Sequence, residues 1–179
     1  MDHEIMDSEI TELAAKVLAH ARAKGAMIAT VESCTGGLII GALTDIPGSS
    51  DVVDRGFVTY SNEAKTKMVG VPADLIEAHG AVSREVAIAM AQGGLANSNA
   101  DIAVSVTGVA GPGGGTANKP VGLVHFAVAL NLGKFEHDHK TDTTMQHQEH
   151  RFGDIGRSLV RRNSVIAGLR HLTKAIENQ

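Results

Sequence analysis

Thr30-Val31-Glu32-Ser33-Cys34-Thr35-Gly36-Gly37 joins two apolar runs of different character. Ahead of it, Ala26 to Val31 is short and bounded by Gly25, which is the pattern of a buried strand. Behind it, Leu38 to Leu43 is richer in helix formers and is ended by Asp45, Pro47 and Gly48, so a helix is expected after Ser33. A Ser or Thr at a strand-to-helix junction caps the free N–H groups of the first turn. Two adjacent glycines let another molecule approach the backbone. Open amides and the positive end of the helix dipole then favour an anion, either a bound phosphate or carboxylate or a charge that develops in a reaction. An N-cap serine with packing glycines has the same signature. The stretch marks a site without naming its chemistry.

Outward from there the chain alternates between helical and extended patterns. Ile10, Leu13, Ala14, Val17, Leu18 and Ala21 form one face of a helix over about 7–24, capped by Asp7 or Ser8 and stopped at Gly25. Phe57-Val58-Thr59-Tyr60 reads as the end of a strand, and Ser61 or Asn62 caps a short helix that holds Lys65 and ends at Gly70. Pro72 opens a second short helix closed at Gly80, and Ser83 caps a longer one carrying Val86, Ala87, Met90, Ala91 and Leu95. Asp101 to Val106 is a buried-type strand running into the glycine-rich loop Thr107–Gly115. Leu123–Leu130 is a further apolar strand, and a turn at Asn131–Gly133 suggests a hairpin into a polar strand near 134–144. From Asp154 onward the pattern is helical, with Ile155, Leu159, Ile166, Leu169, Leu172 and Ile176 expected inward. Helices between strands plus one hairpin imply an α/β layered fold with a mixed sheet, read as a single domain over 1–179.

Composition narrows the function. At 179 residues, 43% hydrophobic and 20% charged, the chain has the make-up of an ordinary globular protein, with an aliphatic core because aromatics are only 3%. A net charge of -4 with interspersed signs argues against a nucleic-acid partner. No apolar stretch is long enough to span a bilayer, and Met1-Asp2-His3-Glu4 lacks a signal-peptide pattern. The single cysteine, Cys34, has no internal disulfide partner, which fits a cytoplasmic setting.

Both glycine-rich segments, Thr35–Gly37 and Thr107–Gly115, follow buried strands, where open α/β sheets bind ligands, and together they point to an anionic one. Neither is a Walker loop or a dinucleotide fingerprint. Ser33 is a nucleophile only if a base removes its proton, and no Gly-x-Ser-x-Gly elbow surrounds it. Lys65 falls in the first turn of its helix, where the dipole and burial lower a lysine pKa; a solvated surface lysine fits the same residues. Cys34 is the rival nucleophile at the same helix start, or a small packing residue behind Ser33. His137 and His139 share one strand face with His147 and His150 nearby, which is either a metal cluster or an exposed edge strand. Arg161, Arg162 and Arg170 read as helix-surface charges, one of which can reach a ligand phosphate.

Five blocks give the chain a family resemblance: Glu32–Gly37; Arg55-Gly56-Phe57-Val58-Thr59-Tyr60-Ser61-Asn62-Glu63-Ala64-Lys65; His79–Ser83; Ser105–Pro112; and Lys119–Gly122. In order, from about residue 8 to 175, these resemble the CinA C-terminal domain family, the nicotinamide-mononucleotide (NMN) amidohydrolases or deamidases. The resemblance implies a three-layer α/β/α domain that self-associates, in the stand-alone form. It also implies hydrolysis of the carboxamide of NMN to nicotinate mononucleotide and ammonia in pyridine-nucleotide salvage, with no cofactor and no metal. A serine–tyrosine–lysine constellation falls on Ser33, Tyr60 and Lys65: the serine attacks, and neutral Lys65 takes its proton directly or through the Tyr60 hydroxyl. Amides at the helix start after Ser33 are then expected to hold the oxyanion. The ligand is expected to meet Thr35, Gly36, Gly37 and Asn62 beside the nucleophile. Thr107, Gly108, Ala110, Gly111 and Lys119 are expected on the phosphate side, where consecutive amides and one charge suit an anion. The competing reading is a non-catalytic, competence/damage-inducible CinA-like module that holds a nucleotide without turning it over. Departures from the family pattern are Val31 in place of alanine, extra residues between Asp154 and Val160, and a poor match over His137–His150. No ligand contact is carried over from the last strand or helix.

Overall fold

The computed structural model describes residues 7–135 and 143–179. In chain order the elements are α1 (Ser8–Lys24), β1 (Ile28–Glu32), α2 (Leu38–Thr44), a 3-10 turn (Ser49–Asp51), β2 (Val53–Val58), α3 (Asn62–Val69), α4 (Ala73–His79) and α5 (Arg84–Ala96). There follow β3 (Ile102–Gly108), β4 (Leu123–Asn131), the short α6 (Leu132–Phe135), β5 (Thr143–Arg151) and α7 (Arg157–Glu177). The five strands form one sheet in the order β2-β1-β3-β4-β5. β1 pairs in parallel with β2 and β3, and β4 and β5 add on antiparallel, so the sheet is mixed.

Alternation along the strands sends side chains into two unlike layers. On one face Ile28, Ile102, Val104, Val106, Val124, Phe126, Val128 and Leu130 pack against the apolar stripes of α1, α2 and α7. On the other, Ala127 and Ala129 meet Ala87 and Ala91 of α5, while Val31 meets Val69, Ile76, Val86 and Met90. This is the expected α/β/α arrangement. The small side chains on the α5 face let that helix lie close, and a glycine takes the closest approach. A Cβ at Gly93 would stand 1.9 Å from the Val69 carbonyl oxygen at the end of α3. That contact matters because α3 carries Lys65.

Local signals placed most helix ends. Asp7 accepts a bond from Ile10 N, Ser61 from Ala64 N and Ser83 from Val86 N, while Gly25 and Gly70 close α1 and α3 with φ of 61° and 70°. Three expectations are corrected. Ser33 does not cap α2, because residues 34–37 form a turn and Gly37 precedes the helix. The polar strand runs over Thr143–Arg151 rather than near 134–144; Arg151 pairs with Leu123 and Thr143 with Asn131. Of the strand residues first expected there, 136–142 lie outside the described residues. Polar side chains occupy both faces of Thr143–Arg151, and Met145, packed beside the Ala87 and Ala91 cluster, is its main apolar anchor. Ile155 and Leu159, expected inward, are 41% and 40% exposed. α7 begins only at Arg157, and its buried stripe is phased through Val160, Ser164, Leu169, Leu172 and Ile176.

Gly93→Ala tests the α3–α5 approach. In an unconstrained helix this change stabilises by about 1 kcal/mol. Here the new methyl meets backbone, and overpacking of that kind costs about 1–3 kcal/mol, so chemical denaturation should show a net loss. Gly168→Ala should cost less, because its methyl meets only the end of the Ile39 side chain, at 2.7 Å. A Gly93→Ala protein as stable as the parent would contradict the close packing.

Candidate active site

The carboxyl ends of β1, β2 and β3 lie side by side, and each delivers part of one site. Ser33 follows β1, held by its N–H to the Val106 carbonyl of β3 (2.9 Å), while Thr59 N, just past β2, donates to the Glu32 carbonyl (2.8 Å). The chain then reverses in a turn closed by Gly36 N donating to Ser33 O at 3.0 Å. Gly36 and Gly37 take φ of 62° and 96°, conformations that favour glycine, and a Cβ at Gly37 would approach Val58 to 3.3 Å.

Beneath this turn Glu32 is fully buried. Its Oε2 accepts from Thr35 Oγ1 (2.7 Å), Gly37 N (3.2 Å) and Ile39 N (3.0 Å); its Oε1 accepts from Ile40 N (2.8 Å) and Thr30 Oγ1 (3.1 Å). The open helix start expected to receive an anion is therefore filled by the protein's own carboxylate. The sequence signal was present but unread: an acidic residue a few positions ahead of a glycine turn and a helix start. Thr35, expected to face ligand, is buried and spends its hydroxyl on Glu32.

Lys65 reaches Ser33 from α3. It is 1% exposed, and its Nζ lies 3.1 Å from Ser33 Oγ, 2.9 Å from Thr59 O and 3.5 Å from Tyr60 O. Among the described residues no carboxylate pairs with it. Burial without a counter-charge lowers its pKa from the ordinary lysine value. The one opposing influence is Cys34, and burial pushes that thiol up to about 12, so it is uncharged at neutral pH. A neutral amine has two N–H groups and one lone pair. Two carbonyls and one serine hydroxyl surround Nζ: it donates to Thr59 O and Tyr60 O, and in its deprotonated form its lone pair is left for the Ser33 O–H. The same burial makes Cys34 a packing thiol rather than a thiolate nucleophile.

The remaining expected residues divide. Tyr60 gives Lys65 its main-chain carbonyl, but its side chain is 62% exposed and its hydroxyl sits 3.4 Å from Arg157 Nη2. Arg157 Nη1 also donates to Gly111 O at 2.9 Å, which ties Tyr60 to the second glycine loop. In that loop Gly111 has φ of 79°, and Val121 fills the space a Cβ would need. Thr107 donates its hydroxyl to Ala81 O (2.8 Å), and Lys119 Nζ donates to His79 O. Gly108 ends β3, and Ala110 is buried beside Gly111. Asn62, the first residue of α3, lines a separate hollow of about 400 Å³ with Glu63, Thr66, Lys67, Ala73, Ile76 and Glu77. Two arginines of α7 stand at the site: Arg157, which was not foreseen, and Arg161, one of three read as surface charges of which one could reach a ligand. Besides Arg157, Arg161 donates from Nε to Cys34 O (3.2 Å) and from Nη2 to Thr35 O (3.1 Å). Arg162, its neighbour, turns to Asp7 and Glu9, and Arg170 also turns to Glu9.

Four of the described histidines form two separate pairs. His125 Nδ1 lies 3.1 Å from His147 Nε2, and His150 Nε2 lies 3.0 Å from His171 Nε2. Burial lowers all four pKa values, that of His171 to about 4, so the pairs are neutral at neutral pH. His137 and His139 lie outside the described residues. Among those described, no three metal-ligating side chains converge.

Residues 10–176 match the model of the CinA C-terminal domain family. The nicotinamide-nucleotide amidohydrolase PncC of Escherichia coli strain K12 is 51% identical over 128 residues, 72% of this chain and 78% of that protein. A putative competence-damage inducible protein of Caldicellulosiruptor bescii is 58% identical over 111 residues, 61% of this chain and 27% of that protein. The chain thus spans about a quarter of the length of the longer relatives of that kind. Among solved structures, the competence/damage inducible protein CihA from Agrobacterium tumefaciens superposes with a TM-score of 0.88 at 49% identity, covering 97% of this chain and 98% of that one. By sequence and by fold, the chain belongs to the CinA C-terminal domain family.

Proposed function

We propose that this chain hydrolyses the carboxamide of NMN to nicotinate mononucleotide and ammonia through a serine nucleophile. The observation that carries the reading is the buried contact between Ser33 Oγ and Lys65 Nζ, a serine hydroxyl touching an amine whose pKa burial lowers. The substrate class rests on the likeness to the E. coli amidohydrolase. In the forward step Lys65 takes the Ser33 proton as Oγ attacks the amide carbon. The resulting Lys65 ammonium returns that proton to the departing ammonia, which leaves an acyl-serine. Lys65 next activates a water molecule, which cleaves the ester and frees Ser33.

Direct contact makes a Tyr60 relay unnecessary. Its carbonyl orients Lys65, and its exposed hydroxyl, beside Arg157, meets the ligand at the rim. The phosphate belongs on the side of Thr107–Gly111, where Arg157 adds charge next to Gly111. Since Glu32 occupies the amides of α2, the oxyanion falls to the turn after the nucleophile. There, among the described residues, no protein acceptor takes the N–H of Cys34 or Thr35.

Ser33→Ala should abolish ammonia release from NMN while ligand binding persists, and Cys34→Ser should keep most of the rate. The reverse pattern would reassign the nucleophile. Binding of NMN without ammonia release by the parent protein would favour the non-catalytic module instead. The base is tested by pH. Only the deprotonated amine accepts a proton, so kcat/KM should rise with pH along a one-proton limb whose midpoint lies below the ordinary lysine value of about 10.4. Lys65→Arg keeps the charge but does not deprotonate, so it should lose on the order of 10²–10⁴-fold in kcat, as Lys65→Met should. Near-normal turnover by Lys65→Arg would show that only positive charge was needed.

A further inference from the structure

We propose that Arg161 is a positioning residue that sets the oxyanion donor, by holding the carbonyls of Cys34 and Thr35 so that the Thr35 N–H is presented on the Ser33 side of the turn. This rests on Ser33 being the nucleophile. Within a trans peptide the C=O and the following N–H point in opposite directions. Arg161 fixes the Cys34 carbonyl at 3.2 Å, which turns the Thr35 N–H away from α7. It fixes the Thr35 carbonyl at 3.1 Å, which turns the Gly36 N–H the same way, where that group closes the turn on Ser33 O. Ser33 is the first residue of that turn and Thr35 the third. The N–H of the third residue faces the side chain of the first, the relation on which serine turns are built. An anion formed on a carbon bonded to Ser33 Oγ therefore falls near the Thr35 N–H.

Charge supports geometry. Arg161 is half-buried, and among the described residues no carboxylate pairs with it, unlike Arg162 and Arg170 on the same helix. Its cation sits behind two carbonyls and polarises both peptides, so their N–H groups become stronger donors. Two hydrogen bonds from one planar guanidinium also fix the relative tilt of consecutive peptide planes, which a lysine does not do. The Thr35 carbonyl is also held by Leu38 N at 3.3 Å and the Thr35 hydroxyl by Glu32, but among the described residues the Cys34 carbonyl is held by Arg161 alone.

The test compares Arg161→Met and Arg161→Lys with the parent in two assays. In the first, ammonia release from NMN should show kcat reduced on the order of 10²-fold in Arg161→Met, the usual effect of losing one oxyanion donor. KM should change by less than about threefold, because the ground-state amide does not use the donor fully. Arg161→Lys should fall between the two. Arg170→Gln, on the exposed side of α7, should leave kcat unchanged. The second assay needs no substrate assignment: a fluorophosphonate labels Ser33, its Oγ bonding to phosphorus as fluoride leaves and the hydroxyl proton passes to Lys65. Labelling, followed by intact mass, should slow by about tenfold or more in Arg161→Met and be absent in Ser33→Ala. Unchanged labelling with a raised KM and an unchanged kcat would overturn the proposal and make Arg161 a substrate contact. If the parent releases no ammonia from NMN yet labelling still slows in Arg161→Met and partly recovers in Arg161→Lys, the substrate reading falls and the positioning role stands.

Discussion

The buried carboxylate of Glu32 is the constraint on which the site depends. It takes five donors, three from the backbone of the Gly37–Ile40 segment and two from the hydroxyls of Thr30 and Thr35. A carboxylate taken out of water is costly unless such bonds replace its hydration, and each charge-assisted bond returns about 1.5–3 kcal/mol. The positive end of α2 adds to the balance. One side chain thereby fixes the end of β1, the reversal after Ser33 and the start of α2 as a unit. Its second effect is electrostatic. With both oxygens committed to those donors, Glu32 forms no ion pair with Lys65.

Lys65 is left as a buried amine with three oxygen neighbours and no counter-ion. That arrangement costs stability, and the sign can be worked out. Its folded-state pKa lies below the unfolded value of about 10.4, so between the two the unfolded chain binds more protons than the native one. Stability contributed by this group therefore rises with pH through that window and is lowest below the folded-state pKa, where native Lys65 is charged without a partner. A residue that only held the fold together would not be placed so. Strain of this kind concentrates where a reaction needs it. Arg157 and Arg161 on α7 complete the frame by tying the turn after Ser33, Tyr60 and the second glycine loop to one helix.

Much of this was legible in the residues. Short-range chemistry placed the caps at Asp7, Ser61 and Ser83 and the stops at Gly25 and Gly70, because each bond closes within a few residues. Apolar runs placed β1, β3 and β4 within two residues. Long-range partnerships were not legible. Arg161 lies 127 residues from Cys34, and nothing in the pair Arg161-Arg162 says which one faces the site. Adjacent helical residues point about 100° apart, so only one of them can; Arg162 goes to Asp7 and Glu9 instead. Lys65 looked like a surface lysine because Glu63 and Lys67, which flank it, form an exposed i,i+4 pair. Family resemblance, not periodicity, singled it out. The polar strand was misplaced for a related reason: polar side chains on both faces leave hydrophobic alternation little to read.

Direct titration of the Lys65 amine is the most telling measurement. Protein carrying ¹³C-labelled lysine, with Lys65 assigned by comparison with Lys65→Met, would be followed by NMR through the Cε resonance from neutral to alkaline pH. The account requires a midpoint well below the ordinary value of about 10.4, with the exposed lysines titrating near it. A Lys65 midpoint at or above the ordinary value would mean that the buried amine is charged at working pH. The serine–lysine mechanism built on its lone pair would then be wrong.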